Sequence, residues 1–508
     1  MTINFQAMTK LPTVRAPTPT SFIPILVGAR PVDNFSLVQL RPPVENTQVS
    51  AGFNLKRRII ASKFGKLKHQ KSKPTEAMMR VVTVLNRSTK FKRFVFTSSL
   101  FDEKNRILVD IQPRKNSRPL CSHCGVAGPT YDTASEPRLF EFIGIWGFPV
   151  FFVYRMRRVN CPHCGVVVED VPWSTGKHHL TDIYRCFLAH WAKKLSWKEV
   201  ADSFRTSWEK VYSSVKHVVD YGLENRRLDN ITAIGVDEIQ YSRGHRYLTL
   251  LYQIDPHCRR LLWLGEERTQ KTMDKGLLEL DREHRRKHTQ LDDPEAKGLL
   301  ERIQYVCSDM WKAYLNVIAR RLKAAVHILD RFHIMQHFGK ALDKVRASEA
   351  KRLNKEGHEP VLCKARFCFL KRRENLTEKQ SGRLSELLSM NLRSVRAYLL
   401  KEDFQRFWEY KHPAWAGKFL DRWCDRTMRS RIEPMKDIAK MLRSHRELIL
   451  NWFRAKKRFN SGVVEGLNLK WNLTVRKSFG FRTPEALKTA SFHQLGELPE
   501  PRFTHRFY

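Results

Sequence analysis

The amino-acid sequence predicts a multidomain α/β protein, and three observations lead to that fold class. The chain has 508 residues, more than one hydrophobic core usually serves, which suggests about three or four domains. Strand-like and helix-like segments alternate between residues 229 and 340, as in an α/β sheet. Two CxxC pairs lie in strand-like sequence upstream of this region, and an almost wholly helical block lies downstream of it.

The composition indicates a folded and strongly basic protein. Hydrophobic residues make up 42% of the chain, with 30 Phe and 12 Trp. The 92 Lys and Arg residues outnumber the 52 Asp and Glu residues, which gives a formal net charge of +40. A charge of this size favours nucleic acid or an anionic membrane surface as partner. The alternative is a solvated basic surface without a partner.

Several segments argue against a membrane or secreted protein. No apolar run reaches the roughly 18 residues of a membrane span. The most apolar stretch, FEFIGIWGFPVFFVY, carries Glu141 and Pro149 and is better explained by strands. The signal-like FIPILVGA is interrupted by Pro24. With ten cysteines that include two CxxC pairs, we expect a reducing compartment such as the cytoplasm, and no membrane association.

The first 92 residues mix Pro-rich sequence with basic clusters such as LKRRIIASKFGKLKHQKSK and show no sustained periodicity. They predict a basic, mostly flexible N-terminal extension. From residue 93, RFVFTSSLFDEKNRILVDIQP alternates apolar and polar residues around a turn, which is typical of a β-hairpin. Residues 93–175 are therefore predicted to form a β-rich module.

Two CxxC pairs, CSHC and CPHC, stand 36 residues apart within that module. Gly125 and Gly165 follow the pairs directly and suit tight turns. Two redox pairs are the rival interpretation, and His123 and His163 are rival ligands, although their place inside the turns makes them bystanders. Two such turns complete a closed tetrahedral Zn²⁺ site with a structural role. Its predicted ligands are Cys121, Cys124, Cys161 and Cys164.

Residues 176–228 are predicted to form a helix-turn-helix DNA-binding domain. A short helix is followed by a break at Arg205 to Ser207, and a second helix then begins. The second helix carries Lys210 and Lys216, which are candidate DNA contacts. The alternative is a pair of ordinary packed helices. Six apolar positions define the buried faces: Val200, Ala201 and Phe204, then Val211, Val215 and Val218.

Two acids are predicted to end buried strands of the α/β region. Asp237 follows AIGV and Asp309 follows YVCS, and such strand ends are where active sites are commonly built. Two carboxylates held close together repel unless a divalent cation bridges them. Mg²⁺ binds through a few carboxylates and substrate phosphates, and a third acid would complete a two-metal site for phosphodiester chemistry.

Glu465 is the candidate third acid. It lies in SGVVEGLNLKWN, where Asn460 or Ser461 is predicted to cap a helix and Glu465 to occupy its first turn. The alternative for Glu465 is a favourable charge near a helix N-terminus. Asn468 shares its helix face and is an accessory candidate.

With these residues in place, the chain resembles the ISL3 family of bacterial insertion-sequence transposases. The matching segments are GVDEIQYSRGHRYLTLLYQID, CSDMWKAYLNV, ILDRFHIMQHFGKALDKVR and NSGVVEGLNLKWNLTVRKSFGFR, preceded by the cysteine pairs and the helix-turn-helix. The resemblance covers about residues 93 to 495 and leaves the N-terminal extension without a counterpart.

The resemblance implies a DDE-type catalytic core of RNase H-like fold, interrupted by an all-helical insertion. Core residues would be 229–340 and 459–508, with the insertion at 341–458. Asp237, Asp309 and Glu465 would be the catalytic triad and the ligands of two Mg²⁺ ions, with Mn²⁺ as an alternative. The implied activity is DNA transposition: the protein would bind terminal inverted repeats, cleave a strand, and transfer the freed 3′-hydroxyl to target DNA, acting as a homodimer or higher oligomer in the nucleoid.

Other residues near these motifs are accessory candidates. Asp330, His333 and His337 lie in DRFHIMQH and suit a second metal or phosphate contact, or a structural hydrogen-bond cluster. Glu238 is a rival to Asp237, but strand alternation points the two to opposite faces. The basic tail residues Arg476, Lys477 and Arg482 suit DNA phosphates or a solvated loop.

Two other functions stay open at the level of the sequence. A non-catalytic DNA-binding regulator derived from a transposase would keep the basic surface without cutting DNA. A structure-selective nuclease on the same fold would cut DNA without joining it. Presence of all three acids speaks against the regulator.

Overall fold

The computed structural model describes residues 80–242, 244, 246–288, 297–459 and 462–501. Residues 1–79, which make up most of the predicted extension, lie outside this part of the chain. Asn460 and Ser461, the predicted helix caps, also lie outside it.

The first described region is a β-rich module. Its elements are α1 (Val81–Ser88), β1 (Phe94–Phe101), β2 (Ile107–Pro113), β3 (Thr130–Thr133), β4 (Arg138–Ile145), β5 (Phe148–Tyr154), β6 (Arg157–Cys161) and β7 (Gly165–Val168). One sheet has the order β1-β2-β5-β4 and a smaller one the order β3-β6-β7. β1 and β2 pair antiparallel, which is the hairpin that the sequence predicts.

Aromatic packing holds this module together. Trp173 is 1% exposed, and its ring meets those of Phe94, Phe140 and Tyr154 edge to face. Leu85 of α1 belongs to the same core. The amphipathic α1, which precedes the predicted boundary at residue 92, gains its stability by burying Leu85 against the module.

Three helices follow: α2 (Asp182–Lys194), α3 (Trp197–Ser203) and α4 (Trp208–Asn225). Ser196 and Glu199 form a capping box at the start of α3, and the Ser207 side chain caps α4. Between the two helices Arg205 has a φ of 51°, so the chain turns sharply there. The local arrangement is helix, short turn, helix, with Val211 and Val215 of α4 buried.

The central sheet has five strands: β8 (Ala233–Ser242), β9 (Arg246–Asp255), β10 (Cys258–Glu266), β11 (Tyr305–Ser308) and β12 (Val326–Leu329). Their order is β10-β9-β8-β11-β12. β8, β9 and β10 form an antiparallel meander, whereas β11 pairs parallel with both β8 and β12. The carboxyl ends of β11 and β12 therefore lie at one edge of the sheet, and β8 runs in the same direction.

Helices cover both faces of this sheet. One face packs Val236 and Val306 against α5 (Gln270–His288) and α7 (Lys312–Arg321), with α6 (Leu299–Arg302) beside them. The opposite face packs Ala233 and Tyr252 against α15 (Gly462–Lys477) and α16 (Pro484–Leu495). This layering buries both sides of the strands, which explains their nearly continuous apolar sequence.

A helical block separates β12 from α15. Its elements are α8 (Arg331–Lys355), α9 (Arg366–Leu370), α10 (Glu378–Leu388), α11 (Arg393–Gln405), α12 (Pro413–Met428), α13 (Glu433–Ser444) and α14 (Arg446–Arg454). Phe338 of α8 packs on Phe404 and Trp423 in its core. α8 is continuous across the predicted boundary at residue 341, so the block begins inside a helix. In the described residues no helix is long and apolar enough to cross a membrane.

Candidate active site

Asp237 lies at the centre of a hydrogen-bond chain on the α15 face of the sheet. Its Oδ2 accepts a 2.6 Å hydrogen bond from Asn468 Nδ2, and Asn468 Oδ1 accepts a 2.8 Å hydrogen bond from the Tyr252 hydroxyl. Its Oδ1 accepts from the backbone N–H of Glu238 at 2.8 Å. Burial raises the pKa of Asp237 despite these hydrogen bonds. The predicted accessory residue Asn468 thus contacts the predicted catalytic acid.

Asp237 lies within its strand, which corrects the expectation that it ends one. β8 continues to Ser242 because its pairing with β9 continues, whereas its pairing with β11 stops at Gly235. Asp309 does follow its strand β11, and its Oδ1 accepts a 3.0 Å hydrogen bond from the Trp311 backbone N–H. The charge of Asp309 contributes to the raised pKa of Asp237, so the two carboxylates are near each other.

Glu465 lies in the first turn of α15, and a close packing contact sets its position. Val464 is 4% exposed and lies against Gly235, where an added Cβ would be 2.6 Å from Val464 Cγ2. Gly235 precedes Asp237 by two positions and shares its face of β8. Glu465 is exposed as a residue, but its carboxyl group is partly desolvated, and this desolvation is the main reason that its pKa is raised. The charges of Asp330 and Asp237 raise the pKa further.

Asp330 and His333 form an ion pair at the start of α8. Asp330 caps the helix by accepting a 2.7 Å hydrogen bond from the Phe332 backbone N–H, and its Oδ2 lies 3.0 Å from His333 Nδ1. The close pairing with Asp330 is the main reason that the pKa of His333 rises to about 9, and the charges of Asp237 and Asp309 add to it. Burial and Lys340 instead lower the pKa of His337.

Glu238 faces away from Asp237 but still belongs to the acidic cluster. Its Oε1 lies 2.9 Å from Arg268, whose guanidinium stacks 4.4 Å from the centroid of Trp311. Burial, then the charge of Asp309, raises the pKa of Glu238 to about 7. Its Oε2 is buried and accepts no hydrogen bond from the described residues. Sequence reasoning missed Arg268, because it lies in the turn after β10 and carries no periodic signal.

The carboxylates are more widely spaced than the cysteines. In the described part of the chain, only the four cysteines form a group of three or more ligand-type side chains with atoms all within 4.8 Å of one another. Asp237 interacts electrostatically with Asp309 and with Glu465, but the three acids do not make such a compact group.

The four cysteines form a closed cluster. The Sγ atoms of Cys124 and Cys161 are 3.5 Å apart, too far for a disulfide and close to the ~3.8 Å edge of a tetrahedron with 2.3 Å Zn–S bonds. Backbone hydrogen bonds from Cys124 lower the pKa of Cys121 to about 6, which favours the thiolate. His123 and His163 are exposed and not part of the cluster. The donor set fits one structural Zn²⁺.

The predicted DNA contacts differ in their surroundings. Lys210 pairs with Glu141 at 2.7 Å, and Lys216 pairs with Asp220 and Glu485 at 3.2 and 3.3 Å. Lys477 donates to the Lys193 carbonyl at 3.4 Å, and burial lowers its pKa. The two remaining predicted contacts, Arg476 and Arg482, are exposed.

Comparison with known proteins identifies the class of this protein. The α/β fold with its acidic cluster and basic composition belongs to the DNA transposases. A DDE-type family model described as Transposase matches residues 234–491, a span that contains Asp237, Asp309 and Glu465. The chain belongs to the ISL3 family of transposases, which confirms the resemblance found in the sequence.

Two relatives named as transposases match over longer stretches than residues 234–491. The transposase for insertion sequence element IS1557 of Mycobacterium tuberculosis is 29% identical over 427 residues, or 78% of this chain and 91% of that protein. The transposase for insertion sequence element IS1001 of Bordetella parapertussis is 27% identical over 369 residues, or 72% of this chain and 86% of that protein. The predicted function in DNA transposition is thus confirmed at the level of the family.

Proposed function

We propose that this transposase cleaves and joins DNA at the ends of an insertion sequence with three carboxylates, Asp237, Asp309 and Glu465, in a core of RNase H-like fold. The antiparallel meander β8 to β10, extended by parallel β11 and β12, supports that fold assignment. The observation that carries the proposal is that Asn468 of α15 holds Asp237 of β8 by a hydrogen bond, beside the parallel strand β11 that Asp309 follows. Glu465 lies in the first turn of the same helix α15.

The donor set of this cluster fits Mg²⁺, with Mn²⁺ as the alternative. Carboxylate oxygens are the ligands that Mg²⁺ prefers. Burial raises the pKa of Asp237, Glu238 and Glu465, and a bound divalent cation would stabilise their charged forms. When bound, two ions would supply charge neutralisation at the phosphodiester and promote ionisation of the attacking hydroxyl.

The surrounding side chains have separate roles. Asn468, held by Tyr252, fixes the orientation of the Asp237 carboxylate. With a pKa of about 9, His333 is a cation at neutral pH, so it suits a phosphate oxygen rather than a metal ion. His337, with a lowered pKa, stays an accessory candidate.

Recognition of DNA is assigned to the N-terminal regions and the basic surface. The zinc module and the α3–α4 pair would bind terminal inverted repeats. Arg476 and Arg482 would contact phosphates of element or target DNA, whereas the half-buried Lys477 is better suited to hold α15 against α2. Bringing two ends together requires a homodimer or higher oligomer on nucleoid DNA.

The test uses Asp237→Asn, Asp309→Asn and Glu465→Gln, which remove charge and keep shape. With Mg²⁺ and an end-bearing duplex, each variant should lose strand cleavage by roughly 10³-fold or more, because each removes several kcal/mol of charge stabilisation. End binding should persist. Asp437→Asn on α13, an exposed acid 3.6 Å from Lys440, is the matched control and should cleave normally.

The same assay separates the alternatives. Retained cleavage in any one variant removes that residue from the triad. Binding without cleavage by the wild-type protein would favour a regulator, and cleavage without strand transfer would favour a nuclease.

A further inference from the structure

The loop between α15 and α16 carries two phenylalanines in opposite environments. Phe481 packs on Trp197 at the start of α3, with ring centroids 5.4 Å apart. Phe479 is 100% exposed. Of these two phenylalanines, therefore, Phe481 contributes to packing and Phe479 does not.

The backbone at Phe479 is as unusual as its exposure. Phe479 has a φ of 53° and Gly480 a φ of 92°, so both lie in the left-handed region. The Phe479 N–H donates to the Arg476 carbonyl at 3.1 Å, and the Gly480 N–H donates to the Val475 carbonyl at 3.0 Å, which ends the helix. Glycine or asparagine normally occupies the first of these positions, because a bulky side chain there is strained. Neither local conformation nor packing accounts for a phenylalanine at this place.

The charges around Phe479 match a nucleic acid. Lys470, Arg476 and Arg482 are exposed on α15 and the loop. The loop adjoins the helix-turn-helix through the Phe481–Trp197 contact, and Lys216 of α4 lies 3.3 Å from Glu485 of α16. Glu465 lies at the other end of α15. DNA held by the helix-turn-helix and cut at the acidic cluster would therefore pass this loop.

We propose that Phe479 is an intercalating residue that inserts between base pairs of the element end and bends the DNA toward the catalytic cluster. Apolar side chains flanked by Arg and Lys are used in this way by proteins that kink DNA. The inference rests on the proposed function, since it requires that this protein binds element ends. The 14 positions from Glu465 to Phe479 span ~21 Å of helix, or about six base steps of 3.4 Å. Insertion is expected within about six base pairs of the cleaved linkage.

Binding is tested first, without Mg²⁺, on duplexes in which 2-aminopurine replaces single adenines across the element end. Wild-type protein should raise the fluorescence at one position, because unstacking relieves quenching, and Phe479→Ala should not. Phe479→Trp, which keeps a flat aromatic ring, should retain the unstacking. Phe367→Ala is the control, since Phe367 is also exposed, at 53%, but lies on α9 of the helical block.

Cleavage is tested second, with Mg²⁺. Phe479→Ala should cleave an intact duplex about 10-fold or more slowly, and a mismatch at the unstacked position should restore its rate, because a mismatch lowers the energy needed for unstacking. Phe479→Gly should lose cleavage in the same way but melt at an equal or higher temperature than wild type, since glycine relieves the left-handed strain.

Three results would overturn the inference. The first is equal fluorescence in wild type and Phe479→Ala while the wild-type protein cleaves normally, which would leave the proposed function intact. The second is a lower melting temperature of Phe479→Gly, which would make Phe479 a structural residue. The third is a changed oligomeric state of Phe479→Ala without DNA, which would assign the ring to contact with a second copy of the chain.

Discussion

The contact between Gly235 and Val464 sets the distance between α15 and β8, and one methyl group can disturb it. A Cβ at position 235 would lie 2.6 Å from Val464 Cγ2 and 3.1 Å from Ile254 Cγ2. Carbon atoms in contact prefer a separation of ~3.5–4.0 Å. Gly235→Ala therefore requires a displacement of about 1 Å. Since valine in a helix is largely confined to one rotamer, α15 itself has to move.

The displacement should affect chemistry more than folding. Overpacking of this kind costs about 1–3 kcal/mol of stability. Glu465 follows Val464 directly, so a shift of about 1 Å moves it relative to Asp237 and should slow cleavage about 10²-fold. Binding of element ends should be unchanged, because the zinc module and α3–α4 do not include this contact.

The assay measures the cleavage rate at saturating protein and Mg²⁺, with end binding measured separately by titration. The double variant with Gly235→Ala and Val464→Ala should recover much of the rate, because the second substitution removes the Cγ2 atom that the new methyl group meets. Gly382→Ala is the control, since nothing lies within 4 Å of a Cβ added there. Full activity of Gly235→Ala, or no recovery in the double variant, would refute this account of how Glu465 is positioned.

Two further predictions concern the zinc cluster and a buried histidine. Zinc removal by a chelator, or Cys161→Ser, should unfold the β-rich module and abolish end binding, as followed by metal content and gel shift; unchanged binding by metal-free protein would contradict a structural zinc. Burial lowers the pKa of His327 from 6.5 to about 4, and its Nε2 lies 2.8 Å from Ser308 Oγ. The unfolded chain therefore binds this proton more readily, and the free energy of unfolding should fall by up to about 3 kcal/mol as pH drops from 6.5 to 4. In urea titrations His327→Gln should lose that part of the pH dependence, and an identical slope in both proteins would show that another group is responsible.

The positions of the acids were accessible from sequence because periodicity marks buried strands. An acid beside an apolar strand is conspicuous, and Asp237 and Asp309 were predicted in this way. The length of β8 was not, because its continuation to Ser242 depends on pairing with β9 and not on its own residues. Local signals therefore indicated which acids to consider, while long-range pairing decided where the strand ends.

The partners of the acids could not be predicted for the same reason. Tyr252 reaches Asn468 because strand register places it opposite Gly235, the position on which α15 packs. Arg268 lies two residues beyond the end of β10 and pairs with Glu238 of β8. Such a pair leaves no periodic pattern in the sequence.

The cysteine cluster and the basic residues show the same contrast between local signals, which the sequence reveals, and long-range partners, which it does not. The CxxC spacing fixes local turn geometry, so the four cysteines that cluster in the structure could be named from sequence. Lys210 and Lys216 were named as DNA contacts from charge alone, and the structure shows that both are ion-paired with acids of this chain. Binding DNA through them requires exchanging one anionic partner for another, which lowers the net gain from each contact.

The continuity of α8 joins the helical block directly to the acidic cluster, with no loop between them. The helix begins beside the Asp330–His333 pair and runs 25 residues, or ~37 Å, to Lys355. A displacement of its far end would therefore be transmitted along one unbroken helix to His333. Chimeras that exchange this block between relatives should therefore be joined beyond Lys355, where α8 ends. The whole helix and the Asp330–His333 pair at its start then come from the same protein.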